Sequence, residues 1–398
     1  MADAPQSICI LGGGFGGLYT ALRLSQLPWD GPTPTVTLVD HRDRFLFLPL
    51  LYELVTEELH TWEIAPPYAE LLAGTQVRFR QADVSQVDLD QRRVSLSDGS
   101  TLTYDRLVLA LGGTTPMDRA PGVAEHALAF RTLEDAYRLK ERLRLLEASG
   151  ADKIRVAVVG GGYSGVELAC KVAGHLGDRG RVRLVEQTDT ILRTSSEYNR
   201  QVAQQALSDL GVWVDLETAV AEVTADTISL TFRDQTDILP VDLVLWTVGT
   251  QVNPIMAQLP LKHNERQQIV VQPTLEVVDR PGVYALGDGA DCRDGEGQQM
   301  PGTAQVAIQQ ADFVGWNIWA SLSDRPQLPF RYRHLGEMLT LGSDRATLTG
   351  LGLQLDGELA HVARRLAYLY RMPTLTHQVR VGLSWMTKPL RDALVRQS

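Results

Sequence analysis

Residues 7–11 (SICIL) form a short apolar run that ends at three consecutive glycines. Apolar positions then follow at helical spacing, Leu18, Ala21, Leu22 and Leu24. A buried-strand run followed by that spacing predicts a strand, a tight turn and a helix. The pattern recurs 148 residues later, with IRVAVV over 154–159, glycines from 160, and then Val166, Leu168, Ala169 and Val172. A repeat of this kind predicts two βαβ units and therefore parallel sheets covered by helices. Two further apolar runs ending in glycine, 101–113 and 242–249, read as strand–glycine crossovers between domains. The fold class expected is α/β, with two Rossmann-like dinucleotide-binding domains, one inserted in the other. The expected boundaries are 1–117 with 251–330 for a discontinuous first domain, 118–250 for the second, and 331–398 for a C-terminal region.

Both glycine turns fit G-x-G-x-x-G, through Gly12, Gly14 and Gly17 and through Gly160, Gly162 and Gly165. The glycines allow a tight turn, a backbone close to a pyrophosphate, and a helix packed against its strand. The phosphates then face N–H groups at a helix N-terminus. A lone turn of this type is weak evidence, but each copy here has a second half. The strand after the first turn ends in Asp40, 23 residues beyond Gly17, and the strand after the second ends in Glu186, 21 residues beyond Gly165. A carboxylate there accepts the ribose hydroxyls of an adenosine. Two such sites suit one tightly held dinucleotide and one that exchanges.

With 398 residues and 44% apolar content the chain is an ordinary globular protein of two or three domains. Its net charge of −10 argues against nucleic acid as a partner. The three cysteines, Cys9, Cys170 and Cys292, lie far apart and read as small buried hydrophobes, so neither a disulfide framework nor a metal site is expected. No uninterrupted apolar run reaches the length of a membrane span, and the first strand starts too early to leave room for a leader or transit peptide. The tail modifies the average charge. From His361 onward it carries seven basic residues, Arg364, Arg365, Arg371, Arg380, Lys388, Arg391 and Arg396, against the single acid Asp392. Interleaved with them are Leu366, Tyr368, Leu369, Tyr370, Met372, Leu383, Trp385 and Met386. That mixture suits an interfacial helix on an anionic membrane surface. It also suits a terminal helix docked on its own protein or on a second copy in a homodimer. Pro373 is expected to divide the segment into two helices.

The stretch PGVYALGD over 281–288 resembles the second FAD fingerprint of two-dinucleotide flavoproteins, in which the aspartate, Asp288 here beside Gly287, binds the ribityl hydroxyls. RDRFLFLPLLY over 42–52 and PGTAQVAIQQ over 301–310 resemble the type II NAD(P)H:quinone oxidoreductases, single-subunit FAD enzymes attached to one membrane face. The resemblance spans nearly the whole chain. It implies FAD as a tightly bound cofactor, NADH or NADPH as co-substrate and a quinone as acceptor. Gly112 and Gly249 then border the cofactors, and the helix start at Thr303 and Ala304 faces the flavin. Gln305 borders the quinone, with Gln309 on the same helix face, and Glu167 helps place or protonate it. Segments 335–342, 364–374 and 377–385 resemble one branch, the NdbB-type cyanobacterial and plastid enzymes that reduce demethylphylloquinone in vitamin K1 synthesis. A peripheral position on the cytoplasmic face of a bacterial membrane, thylakoid or plasma, follows from it.

Several alternatives stay open on the residues alone. Gln305 and Gln309 share a face that could simply be solvated, and Glu167 could merely complement its helix dipole. Glu186 would repel the 2′-phosphate of NADPH, whereas Arg181, Arg183 or Arg193 could offset it. A respiratory-type plastoquinone or ubiquinone dehydrogenase, a soluble ferredoxin-reductase-like flavoprotein and a flavin-bound regulatory protein of the apoptosis-inducing-factor type are the competing functions. The absence of a cysteine pair near the flavin rules out a thiol relay, so electrons must pass directly to the substrate.

Overall fold

Ile8, Cys9, Ile10 and Leu11 are all buried, so the first strand is covered on both faces, as the middle of a parallel sheet must be. The computed structural model describes residues 5–29 and 31–395, with the side chains of the last helix described only as far as Thr387. Strand Ser7–Leu11 lies between Arg106–Leu109 and Thr35–Asp40 in a five-stranded parallel sheet. Val283–Ala285 and Arg78–Gln81 form its two edges. Helix Phe15–Gln26 follows the first turn and packs along helix Ala304–Leu322. Gly315 allows the close approach, since a Cβ there would lie 2.6 Å from Arg23 Cγ.

The second copy has the same plan. Strand Ile154–Val159 sits between Gly180–Val185 and Leu243–Trp246, with Trp213–Asp215 and Ala127–Ala129 outside them, all parallel. Helix Tyr163–Leu176 carries ten buried residues, which include Glu167 and Lys171 among the apolar ones. An antiparallel three-stranded sheet, Ala219–Val223, Thr227–Phe232 and Gln235–Pro240, packs Ile228 and Leu230 against Ala157, Val159 and Val244.

The chain divides into two compact units. The first comprises Met1–Phe47, Ala65–Thr114 and Thr250–Arg333, and the second Leu48–Ile64, Thr115–Gly249 and His334–Ser398. Two assignments go beyond the boundaries expected from sequence: residues 48–64 belong to the second unit, and so does the C-terminal region. That region forms an antiparallel sheet, Glu337–Thr340, Ala346–Gly350 and Leu353–Asp356, and then helices Gly357–Arg371 and Leu375–Val395. The break between the helices falls at Pro373, with Thr374 in the left-handed region at φ 61°.

Several of the tail's polar side chains dock on their own unit. Arg364 is fully buried, 2.7 Å from Glu53 Oε1, and it donates to the carbonyl of Pro49 at 2.9 Å. Arg365 pairs with Glu58 at 3.1 Å and lies over the Trp385 ring. His377 bonds the carbonyl of Glu63 at 2.9 Å. These contacts hold residues 48–64 and the tail within one unit, because buried charges must meet opposite charges and buried carbonyls must meet donors. Arg371 and Arg380 stack on Tyr370 and Trp62. The side chains of Lys388, Arg391 and Asp392, and the whole of Arg396, lie outside the described residues. The two helices also expose large apolar side chains, Leu359, Val362, Leu366 and Tyr370 on one, and Leu375, Val379, Leu383 and Met386 on the other, beside the exposed Glu358 and Arg380.

The Arg364→Met substitution strands the Glu53 carboxylate in the core. It is expected to cost about 3–5 kcal/mol and to lower Tm by about 10 °C. Adding Glu53→Gln to the same chain removes the stranded charge and should recover most of the loss in thermal melts.

Candidate functional site

In the first unit Gly12 has φ +97°, and a Cβ on Gly17 would lie 1.8 Å from the Gly12 carbonyl oxygen. No other residue fits at that crossing. Gly14 has open space around its Cα, and no side chain caps the helix that starts beside it. A helix start normally needs acceptors for its first N–H groups; here the acceptor can come from a ligand. Asp40 closes the other side of the turn, with Oδ2 taking the Gly13 N–H at 2.6 Å and Oδ1 that of Arg42 at 2.9 Å. The buried Tyr68 hydroxyl donates to the Gly13 carbonyl at 2.8 Å and pins the loop from behind.

The second unit repeats this almost atom for atom. Gly160 has φ +108°, a Cβ on Gly165 would lie 1.7 Å from the Gly160 carbonyl oxygen, and Gly162 is open. Helix Tyr163–Leu176 has no side-chain cap. Glu186 Oε2 takes the Gly161 N–H at 2.6 Å, while Oε1 takes the Thr188 N–H and hydroxyl, each at 2.8 Å. Two uncapped helix starts, each beside an open glycine and a carboxylate, fit the pyrophosphate and ribose of two dinucleotides.

The remaining expected residues divide between the units. In the first, Gly112 and Gly287 take φ +67° and +71°, and the Gly287 N–H donates to Gln310 Oε1 at 2.7 Å. Gly302 passes so near Asp288 that a Cβ on it would lie 2.9 Å from Oδ1. Thr303 caps helix Ala304–Leu322 through the Val306 N–H. Gln305 accepts from the Tyr332 hydroxyl at 2.8 Å. Gln309 is bound both ways to the Arg333 backbone, donating to its carbonyl and accepting its N–H, each at 2.9 Å. That double bond gives Gln309 a strapping role for the chain at 333, whereas Gln310, which sequence reading passed over, is the buried amide that holds Gly287. In the second unit Gly249 has φ +71° beside Pro116.

Glu167 is no solvated helix-start acid. It is buried, and Oε1 accepts the Thr340 N–H at 2.9 Å, with Arg364 Nη2 at 3.8 Å. Around it lie Glu53 paired with Arg364, Glu58 paired with Lys171 and Arg365, and the buried Tyr52. Burial pushes the Glu167 carboxyl up to about 7, against the pull of Arg364 and the Thr340 N–H. Glu53 is equally buried, yet Arg364 and Lys171 outweigh its desolvation and hold it below the usual carboxylate range. Glu167 is thus the member of this cluster set to hold a proton near neutrality. The available signal in sequence was a charged residue inside an apolar run, Glu53 within LLYELV and Lys171 within LACKVA.

Two of the three arginines that could have faced a 2′-phosphate are otherwise engaged. Arg183 pairs with Asp215 and lies over Trp213, and Arg181 donates to the carbonyls of Asp178 and Gly180. Burial pushes the thiols of Cys9 and Cys170 up to about 12 and that of Cys292 to about 11, so all three are inert at neutral pH.

The profile of the pyridine nucleotide-disulphide oxidoreductase family matches residues 6–311. The chain is 57% identical over 399 residues to demethylphylloquinone reductase NdbB of Synechocystis, covering 99% of each. It is 41% identical to the alternative NAD(P)H-ubiquinone oxidoreductase C1 of Arabidopsis thaliana, covering 97% of this chain and 82% of that one. In fold it resembles NDH2 from Plasmodium falciparum in complex with NADH, with a TM-score of 0.87 at 17% identity over 97% of this chain and 98% of that chain.

With the Glu186 carboxylate held beside the second turn, NADH is expected to bind about tenfold more tightly than NADPH, a difference of about 1.4 kcal/mol. Glu186→Ala should bring the two Kd values together in fluorescence titrations.

Proposed function

The chain belongs to the pyridine nucleotide-disulphide oxidoreductase family, in its type II NAD(P)H:quinone oxidoreductase group, and from that premise we propose that it is an FAD-dependent NAD(P)H:quinone oxidoreductase whose acceptor is a naphthoquinone of the demethylphylloquinone kind. The observation that carries the reading is the pair of uncapped glycine turns, each with a carboxylate 2.6 Å from a turn N–H, that of Gly13 or Gly161, in a chain with no thiol pair among the described residues. The first turn holds FAD, with Asp40 at the adenosine ribose and Asp288 at the ribityl chain. The second turn takes NAD(P)H, with Glu186 at its ribose. When bound, FAD would supply the redox chemistry that couples NAD(P)H oxidation to quinone reduction.

The protein's own part is position and protons. N–H groups at the start of helix Ala304–Leu322 offer positive potential to the flavin ring. Gln305, held by Tyr332, borders the quinone. Reduction of a quinone to a quinol consumes two protons, and Glu167 is the group that stores one. A carboxyl titrating near pH 7 releases a proton readily and is readily recharged. The 57% identity to a demethylphylloquinone reductase, against 41% to a ubiquinone oxidoreductase, supports the naphthoquinone over the respiratory alternative.

No helix among the described residues is long and apolar enough to cross a membrane. The apolar stripe of the two tail helices supports peripheral attachment instead, on the cytoplasmic face of a bacterial membrane, with a homodimer contact as the other use of that face. Because Arg364 is buried in the second unit, a test must alter the stripe and leave the tail in place. Full-length protein should float with anionic vesicles, and a Leu359→Glu, Leu366→Glu variant should stay in the soluble fraction. Equal flotation of the two would sink the interfacial assignment.

Anaerobic stopped-flow mixing tests the activity. NADH should bleach the flavin and menadione should restore its colour; bleaching without recovery rejects the quinone. The proton on Glu167 is present below its pKa and lost above it, so quinone reduction should fall as pH rises through about 7. Glu167→Gln should lower that rate by about a hundredfold and remove the inflection.

A further inference from the structure

The loop 187–196, between the ribose acid Glu186 and helix Glu197–Asp209, is tied to the second glycine turn itself: the Leu192 N–H donates to the Gly161 carbonyl at 2.8 Å. Leu192 is buried with φ +50°, a left-handed conformation that a leucine keeps only when its surroundings impose it. The loop's far end shows what imposes it. Ser195 returns its N–H to the Leu192 carbonyl at 2.8 Å, and its hydroxyl donates to Glu337 Oε2 at 2.5 Å. The same oxygen accepts the Ser196 N–H at 3.2 Å and the Asn199 side-chain amide at 2.9 Å. The phenol of Tyr163, first residue of the helix after the turn, adds to the polar surroundings of Glu337.

Glu337 thus receives three donors from residues 195–199, at the far end of the loop tied to the nucleotide turn, although it lies on the C-terminal antiparallel sheet, outside the βαβ unit. Its own placement is rigid. Asn199 is fully buried, and it donates to Thr349 at 3.0 Å and accepts from Thr347 at 2.7 Å on the neighbouring strand. Burial alone would raise the Glu337 carboxyl, but the donors from Ser195, Ser196, Asn199 and Tyr163 hold it below the usual range, so it stays ionised. A charged acceptor shared by several donors is far stronger than a neutral one.

We propose that Glu337 is a positioning residue for NAD(P)H: through Ser195 and Leu192 it fixes loop 187–196 and the Gly161 peptide in the conformation that receives the dinucleotide. The proposal rests on the second turn being the NAD(P)H site. It assigns a binding function to the C-terminal sheet, separate from the attachment function of the helices that follow it. Glu337 acts through Ser195 and Leu192 on the loop and the Gly161 peptide, so its substitution should affect affinity and leave the chemical step unchanged.

The test uses the FAD-loaded full-length protein. NADH Kd is read by anaerobic fluorescence titration, and the limiting rate of flavin bleaching by stopped flow. Glu337→Gln keeps the shape but presents an amide N–H₂ to donors; NADH Kd should rise about tenfold, with the limiting bleaching rate, FAD content and quinone KM within about twofold of wild type. Ser195→Ala removes one donor and keeps the carboxylate, so Kd should rise about threefold; it decides the matter if Glu337→Gln does not fold. Kd unchanged in a folded variant, or a fall in limiting rate at constant Kd, overturns the proposal. A wild-type protein that binds NADH without bleaching would reject the hydride-transfer reading and leave the Glu337 comparison intact. One that does not bind NADH at all rejects both.

Discussion

Each dinucleotide unit depends on a single steric constraint: the third glycine of the turn crosses the carbonyl of the first so closely that a Cβ would lie 1.7–1.8 Å from its oxygen. That crossing lets the helix begin directly on the strand's end, and it leaves the first N–H groups of the helix without a side-chain cap. A cap at Gly14 or Gly162 would stabilise the empty helix start and occupy the place of a phosphate. Thr303 and Ser196, by contrast, cap their helices through the N–H groups of Val306 and Asn199.

The second constraint is electrostatic. Three buried or half-buried carboxylates, Glu53, Glu58 and Glu167, share the cations Arg364, Lys171 and Arg365, but the pairing is uneven. Glu58 takes two of the cations, Glu53 takes the guanidinium of Arg364, and Glu167 is left with a peptide N–H and a distant edge of Arg364. Unequal pairing drives the titration of like groups apart, which is how one carboxyl becomes a proton store while its neighbour stays charged. The tail participates in the electrostatics of this cluster through Arg364.

The two turns, their acids and the crossovers were legible because their determinants are local: glycine at fixed offsets, an acid at a strand's end, and apolar runs of strand length. The residues around Glu167 were not. Residues 48–64 meet helix Gly357–Arg371 across some 300 positions of chain, and nothing in either segment's periodicity announces the other. Arg364 in sequence is one of seven basic residues in a tail, and only packing shows it to be buried against Glu53. Likewise Gln305 and Gln309 look equivalent on one helix face, yet one meets a tyrosine hydroxyl and the other a backbone.

By itself, then, the sequence determined the α/β class, the two nucleotide turns with Asp40 and Glu186, and the lack of a thiol relay, because backbone sterics and strand–turn–helix order operate over a few tens of residues. Tertiary structure decided which carboxyl holds a proton, which tail cations are interior, and how Glu337 reaches the second turn. Those properties depend on burial and on distances between charges far apart in the chain, quantities that no local pattern of residues carries.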